Sequence, residues 1–308
     1  MKGIIYSGIN NIYDVRFDGG QSAECRIKGK ILKDNDSIKE YNPLAPGDYV
    51  EVDLTESESG KYGLILSRYP RKNRFARWNR KRESWQTVAA NLDILFAVIS
   101  VSSPPFRPRF VERVLIAAAQ GGVPVSVIVN KIDQKMDDWA AERIKIWQDL
   151  GIPVLKVSAL TGEGLEKLKK NILGKTAAFF GHSGVGKSTI LNALIPGVNL
   201  KTDSVSSKYN RGRHVTNFGR IIDSPEGFRL VDTPGVREIL VKDVEPENLQ
   251  RFFPEIYKFA ESCRFNPCSH THEPGCAVIQ AVENGKINYD RYENYLRILD
   301  ELEEDKRW

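Results

Sequence analysis

β-Branched and aromatic residues gather in five short runs early in the chain, at 3–8, 12–17, 23–32, 49–54 and 62–67. That is the composition of strands rather than helices. Turn-forming residues separate the runs, at Asp18-Gly19-Gly20, Asp34-Asn35-Asp36 and Pro46-Gly47-Asp48. Five strands in so short a stretch predict a small closed barrel over 1–67, with the OB-fold as its commonest form. From residue 91 the pattern becomes alternating strand and helix. Residues 95–101, 123–129, 153–157 and 176–180 read as strands, and 110–120, 138–150 and 165–173 as helices. Such a series predicts a mostly parallel sheet covered on both faces, with ligands at the carboxyl ends of its strands. Farther on, 247–262 reads as one amphipathic helix. Tyr289, Tyr292, Leu296, Leu299 and Leu302 mark the packed face of a closing helix, whose acidic run at 300–305 is expected in solvent.

A chain of 308 residues can hold two or three domains, each with its own core. Its 41% hydrophobic content is ordinary for soluble protein, and the longest apolar run, 95–101, is too short to span a bilayer. The first residues show no apolar signal region, so a cytoplasmic location is expected. Charge changes the picture more. Residues 1–82 hold 16 Lys and Arg against 11 Asp and Glu, while the remainder holds 29 of each. The net charge of +5 is therefore N-terminal, and 68–82 alone carries eight basic residues and no acid. Such concentration points to a polyanion, and Phe75 and Trp78 within it offer faces for unpaired bases. Residues 68–90 are thus expected to form a basic linker that touches RNA. A solvated linker, beside a barrel that is only a spacer, is the plainer alternative.

Candidate chemistry centres on Gly181-His182-Ser183-Gly184-Val185-Gly186-Lys187-Ser188, a GxxxxGKS run between a strand and a helix beginning near Thr189. In that context the glycines let backbone N–H groups turn onto phosphate oxygens, helped by the helix dipole. Lys187 would reach the β- and γ-phosphates, and the Ser188 hydroxyl would take a position on Mg2+. Asn130-Lys131-Ile132-Asp133 follows another strand. The Asp133 carboxylate can accept from the N1–H and exocyclic amine of guanine, a pair adenine does not offer. Asn130 would hold the neighbouring loop, and the Lys131 stem would cover the purine. In Ser158-Ala159-Leu160, the Ala159 N–H could donate to guanine O6, which favours GTP over ATP. Asp232-Thr233-Pro234-Gly235 would set Asp232 near Mg2+ and the Gly235 N–H near the γ-phosphate, with Thr216 closing over the ion. Val236 stands where many GTPases place a water-orienting glutamine, so another group is needed: His214 first, His182 second.

The guanine motifs precede the phosphate loop, the reverse of the usual order. The set resembles the translation-factor-related GTPases after a circular permutation, which exposed loops tolerate. One consequence is that residues 232–235 lead straight into the C-terminal segment, a route by which nucleotide state could be transmitted. There, Cys263, Cys268 and Cys276 fall within fourteen residues, beside His270. Three thiols and one imidazole are the composition of a closed, structural zinc site, with His272 the rival fourth ligand. Cys25 stands alone and reads as a small buried apolar residue.

At this point the whole chain resembles the bacterial ribosome small-subunit-dependent GTPase A family (RsgA, also called YjeQ). The resemblance rests on the phosphate loop, the permuted order, the zinc spacing and the continuation Glu273-Pro274-Gly275-Cys276-Ala277-Val278. It implies an N-terminal OB-like β-barrel (1–67), a circularly permuted P-loop α/β GTPase domain (91–240) and a helical zinc-binding module (241–308). It implies a GTP hydrolase that matures the small ribosomal subunit, is stimulated by that subunit, and contacts ribosomal RNA through barrel and module. One structural Zn2+ and Mg2+ with GTP are expected, in a monomer with no membrane partner. The family has a histidine just before the switch threonine, which favours His214 as a catalytic residue beside Lys187 and Thr216. The alternatives are an RNA-binding scaffold with GTP as a passive ligand, and an assembly GTPase for another ribosomal particle.

Overall fold

Ile5, Val15, Cys25, Val50, Val52 and Ile65 are shielded from solvent and alternate with more exposed neighbours, so one face of each N-terminal strand points inward. The strands are β1 (Lys2–Ile9), β2 (Ile12–Phe17), β3 (Ser22–Ile27), β4 (Tyr49–Asp53) and β5 (Gly63–Arg68). They close as a barrel in the order β1-β2-β3-β5-β4, with β3 and β5 parallel and the other pairs antiparallel. Closure leaves no free sheet edge. The computed structural model describes residues 1–9, 11–27, 40–54, 62–198, 200, 219–233 and 238–306. The end of the strand expected over 23–32 lies outside them.

The stretch expected as a basic linker folds instead into a hairpin, β6 (Arg74–Asn79) and β7 (Ser84–Ala90). Part of its charge is spent inside the protein. Arg71 donates to both carboxylate oxygens of Asp48, at 2.7 and 2.8 Å, and to Glu40 at 3.0 Å, and Arg74 also pairs with Glu40. Asp48 is fully buried; that burial pushes its carboxyl above the usual range, against the pull of Arg71. Phe75 is not available to a base. It is wholly buried, edge-on to Phe180 with ring centres 4.7 Å apart. Trp78 is half-buried, edge-on to Trp85.

The central domain follows as β8 (Ile94–Ser100), α1 (Pro108–Gln120), β9 (Val125–Asn130), α2 (Asp138–Asp149), β10 (Val154–Lys156), α3 (Leu165–Ile172), β11 (Thr176–Gly181), α4 (Lys187–Leu194), β12 (Arg220–Asp223) and β13 (Arg229–Asp232). Its sheet has the order β10-β9-β8-β11-β13-β12, parallel throughout except for the edge strand β12. β8 is an unbroken apolar run because both its faces are covered. Leu95, Ala97 and Ile99 join the core beneath α1 and α2, and Phe96 and Val98 the core beneath α3 and α4. The barrel is tied to the sheet edge where the Tyr6 hydroxyl and Arg16 donate to Asp223, at 2.8 and 2.6 Å.

The helix expected over 247–262 is broken in two, a 3-10 helix over Pro246–Phe252 and α5 (Pro254–Ala260). Pro254 has no N–H to continue the first helix and disfavours helical geometry at Phe253, which has φ −120° and ψ 88°. α6 (Ala277–Glu283) and α7 (Tyr289–Lys306) complete the chain. α7 buries Tyr292, Tyr295, Ile298, Leu299 and Leu302, but Tyr289, expected on that face, is 66% exposed. The acidic run at 300–305 is not simply solvated either. Glu301 accepts two hydrogen bonds from Arg113, and Asp305 pairs with Lys242. The module's core includes Ile116, which belongs to α1. Beside it Glu112, 2% exposed, accepts from Arg291 at 3.2 Å and from Asn294, and lies 3.6 Å from Arg143. Among the described residues no helix is long and apolar enough to cross a membrane.

Arg71→Ala would leave the Asp48 carboxylate buried without its cation. Denaturant unfolding should show a loss of about 3–5 kcal/mol; a loss below about 1 kcal/mol would mean that other groups hold Asp48.

Candidate nucleotide site and metal centre

Because β9, β10, β11 and β13 run parallel, their carboxyl ends lie along one edge of the sheet. Each delivers a motif there. β11 ends at Gly181, and the turn to α4 passes through Gly184 and Gly186 in the left-handed region, at φ +82° and +94°. A Cβ on Gly186 would stand 2.2 Å from Asn130 Nδ2, so the close approach of the two loops also requires glycine. Lys187 is 6% exposed, and its ammonium donates to the carbonyls of Gly181 and His182, both at 2.9 Å. Ser188 and Thr189 follow in the first turn of α4.

Asn130, at the end of β9, ties three loops together. Its amide donates to the Val185 carbonyl at 2.9 Å, while its oxygen accepts from the Ala159 N–H at 3.1 Å. The Ala159 N–H, expected to face guanine O6, is thus directed at Asn130 here. Lys131 donates to the carbonyls of Gly184 at 2.8 Å and Ser103 at 2.5 Å. Ser158 is fully buried, and its hydroxyl donates to Asp133 Oδ1 at 2.5 Å, which fixes one carboxylate oxygen beside an otherwise exposed side chain. Asp232 closes β13 opposite Phe179, and the Thr233 hydroxyl donates to the Phe179 carbonyl at 2.5 Å. The His182 ring packs on Phe110, with centres 4.3 Å apart. Ser183 is exposed. His214, Thr216 and Gly235 lie outside the described residues.

Cys263, Cys268, His270 and Cys276 come together, with all four ligand atoms within 4.8 Å of one another. Cys263 Sγ is 3.8 Å from Cys276 Sγ, and His270 Nδ1 is 3.5 and 3.4 Å from those two sulfurs. Tetrahedral zinc with Zn–S bonds of about 2.3 Å would set its sulfurs about 3.8 Å apart, so the donor set fits one such ion. All four cysteines of the protein are free thiols. Burial pushes the Cys268 thiol up to about 12 and the Cys276 thiol up as well. These thiols therefore ionise only when a cation compensates them. Burial pushes His270 down, which keeps its imidazole neutral, as a ligand must be.

The surroundings of this centre were not legible in sequence. His270 Nε2 lies 2.9 Å from Gln250 Oε1, which can only accept; the proton is therefore on Nε2, and Nδ1 presents its lone pair to the cysteines. Glu273 accepts from the Ser269 amide and hydroxyl, both at 2.6 Å, and from the amides of Thr271 and His272. Burial alone would raise this carboxyl, but the hydrogen bonds dominate and hold it at about 2. Tyr292 and Tyr295 donate to the carbonyls of His270 and Ser269, at 2.6 and 3.2 Å. His272, the rival ligand, is exposed.

A parallel sheet with a phosphate loop downstream of guanine-type motifs defines a circularly permuted P-loop GTPase, here carrying a barrel in front and a Cys3His module behind. The model of the RsgA GTPase family matches residues 68–242, and that of the RsgA N-terminal domain matches 2–61. The chain belongs to the RsgA GTPase family. It is 38% identical to a "Small ribosomal subunit biogenesis GTPase RsgA" of Flavobacterium psychrophilum over 97% of this chain and 93% of the relative. A protein of the same name from Bacteroides fragilis is also 38% identical, over 99% and 98%. The crystal structure of YjeQ from Thermotoga maritima superposes with a TM-score of 0.73 at 31% identity, covering 98% of each chain.

Gln250→Ala and Glu273→Ala should each weaken metal retention about 10- to 100-fold, as loss of the groups that orient ligands generally does. Chelator competition on the purified protein measures this; unchanged retention in both variants would show that neither group orients the ligands.

Proposed function

We propose that the protein hydrolyses GTP as an assembly factor for the small ribosomal subunit, acting as a cytoplasmic monomer that binds ribosomal RNA. The observation that carries the nucleotide reading is Asn130, whose side chain joins the guanine-type loops to the phosphate loop through Val185 and Ala159. Asp133, steadied by Ser158, would accept from the two guanine donors, and Lys131 would flank the base. The backbone of residues 181–188, with the Lys187 ammonium, would hold the β- and γ-phosphates, and Thr189 would extend that contact into α4. Ser188, Asp232 and Thr216 would hold Mg2+, which when bound neutralises charge on the β- and γ-oxygens. Gly235 would meet the γ-phosphate through its N–H. His214 would orient the attacking water; the water oxygen would bond to the γ-phosphorus as the bond to the β–γ bridging oxygen breaks, its proton passing to the released phosphate, giving GDP and phosphate. Zn2+ would be held by Cys263, Cys268, His270 and Cys276 in a structural role, since four protein ligands leave no open position.

The small subunit as partner is supported by the names of the full-length relatives. For RNA contact, the support is the surface that remains after Phe75 and Arg71 are withdrawn. Lys2 stands over Tyr49 and Tyr69, at 4.7 and 5.4 Å from the ring centres, and Arg82 stands over Tyr41 at 5.5 Å. Pairs of this kind can meet a phosphate and a base together.

Hydrolysis measured alone and with each ribosomal subunit tests the reading. Small subunits should raise a slow basal rate many-fold, and His214→Ala should lower the stimulated rate about 100-fold. Stimulation by large subunits only would assign the protein to that particle, and a His214→Ala protein of normal stimulated rate would remove this residue from the chemistry. Asp133→Asn should weaken GTP binding by on the order of 100-fold or more, because the guanine donors lose their acceptor; equal loss of ATP binding would argue against base recognition.

A further inference from the structure

α1 is the only helix of the GTPase domain that enters the core of the C-terminal module among the described residues. Ile116 is part of that core, and Glu112 is clasped by Arg291 and Asn294 of α7. Two residues before Glu112, Phe110 packs against the phosphate loop itself. Its ring centre is 4.3 Å from that of His182, and it stacks on Phe180, the residue before Gly181, at 5.8 Å and 10°. His182 in turn supplies one of the carbonyls that hold the Lys187 ammonium. α7 faces the loop across a gap at this point. A cavity of about 470 Å3 opens between them, lined by His182 and Phe110 on one side and by Asp290 and Glu301 on the other. The solid connection is therefore α1, a rigid rod of 13 residues that spans about 20 Å.

We propose that Phe110 and His182 are positioning residues for the phosphate loop, through which α1 makes nucleotide affinity depend on how the C-terminal module is docked. The proposal rests on the reading of residues 181–188 as the phosphate site. A shift of α1, driven by the module at Glu112 and Ile116, moves the ring on which His182 rests and with it the carbonyl that restrains Lys187. This link differs from transmission through residues 232–235, because it runs along a packed helix rather than along the chain. Thermodynamic reciprocity requires that nucleotide binding also bias the docking of the module.

The test is the affinity of the full-length protein for a fluorescent, non-hydrolysable GTP analogue in Phe110→Leu, Arg291→Met and the double variant. Each single change should weaken binding about 3- to 30-fold, the range found for residues that modulate coupling between sites. The double variant should be no weaker than the weaker single, because both interrupt one link, and Phe110→Tyr should restore near-normal affinity. Multiplying effects in the double variant, or normal affinity in an Arg291→Met protein that retains its fold and metal, would overturn the proposal. If Arg291→Met fails to fold, Arg113→Gln, which releases Glu301 of α7, takes its place with the same expectations. Lys187→Ala separates the two readings: analogue binding unchanged by it would dismiss the phosphate site itself, whereas binding lost by it, with Arg291→Met without effect, would dismiss only the link.

Discussion

A carboxylate at 2% exposure has to be neutralised where it stands, and the arrangement of the C-terminal half follows from how Glu112 is neutralised. Its cations come from two different places, Arg143 on α2 and Arg291 on α7. Burial still raises the Glu112 carboxyl, with Arg291 and Arg143 pulling it back down. Removing either guanidinium leaves charge uncompensated in a region of low dielectric, which is far costlier than never having placed the group there. The last helix of the chain is thereby given one seat on α1. Arg109 with Glu293, Arg113 with Glu301 and Lys242 with Asp305 extend the same seat toward solvent. Those outer pairs add little energy each, yet they fix direction, since sliding α7 by one turn would mismatch all of them together.

Asn130 does comparable work on the nucleotide side with a single neutral side chain. An amide both donates and accepts, so one residue satisfies the Val185 carbonyl and the Ala159 N–H at once. The contact also demands the absence of a side chain at Gly186. None of these bonds depends on the order in which the chain visits the loops. The permuted sequence therefore reaches the same edge of the same sheet, with the guanine-type strands laid down before the phosphate strand.

How far the residues foretold this depended on range. The β8 run, the turn through Gly184 and Gly186, and the clustering of Cys263, Cys268, His270 and Cys276 are local patterns, and local chemistry explains them. The hairpin at 74–90 was missed because Arg71 and Arg74 look like solvent-facing charges until the fold brings Asp48 and Glu40 to them from more than twenty residues away. Gln250 is similar: nothing near it in sequence marks it as the partner of His270. Pro254 was different. Its break is written in the chain, and the amphipathic spacing on either side obscured it. Helical spacing also overreached at Tyr289, which sits at the first turn of α7 with no core beneath it.

Ile116 carries a consequence for modularity. It is 1% exposed, belongs to a helix of the GTPase fold, and shares one hydrophobic cluster with Val241, Leu249, Phe253 and residues of α7. The boundary between the two parts therefore runs through a shared hydrophobic cluster and not along a tether. Severing the chain near residue 241 would expose oily surface on both fragments, and recombination could not graft the Cys3His tail onto another GTPase unless a helix like α1 travelled with it. The tail is inherited with its seat.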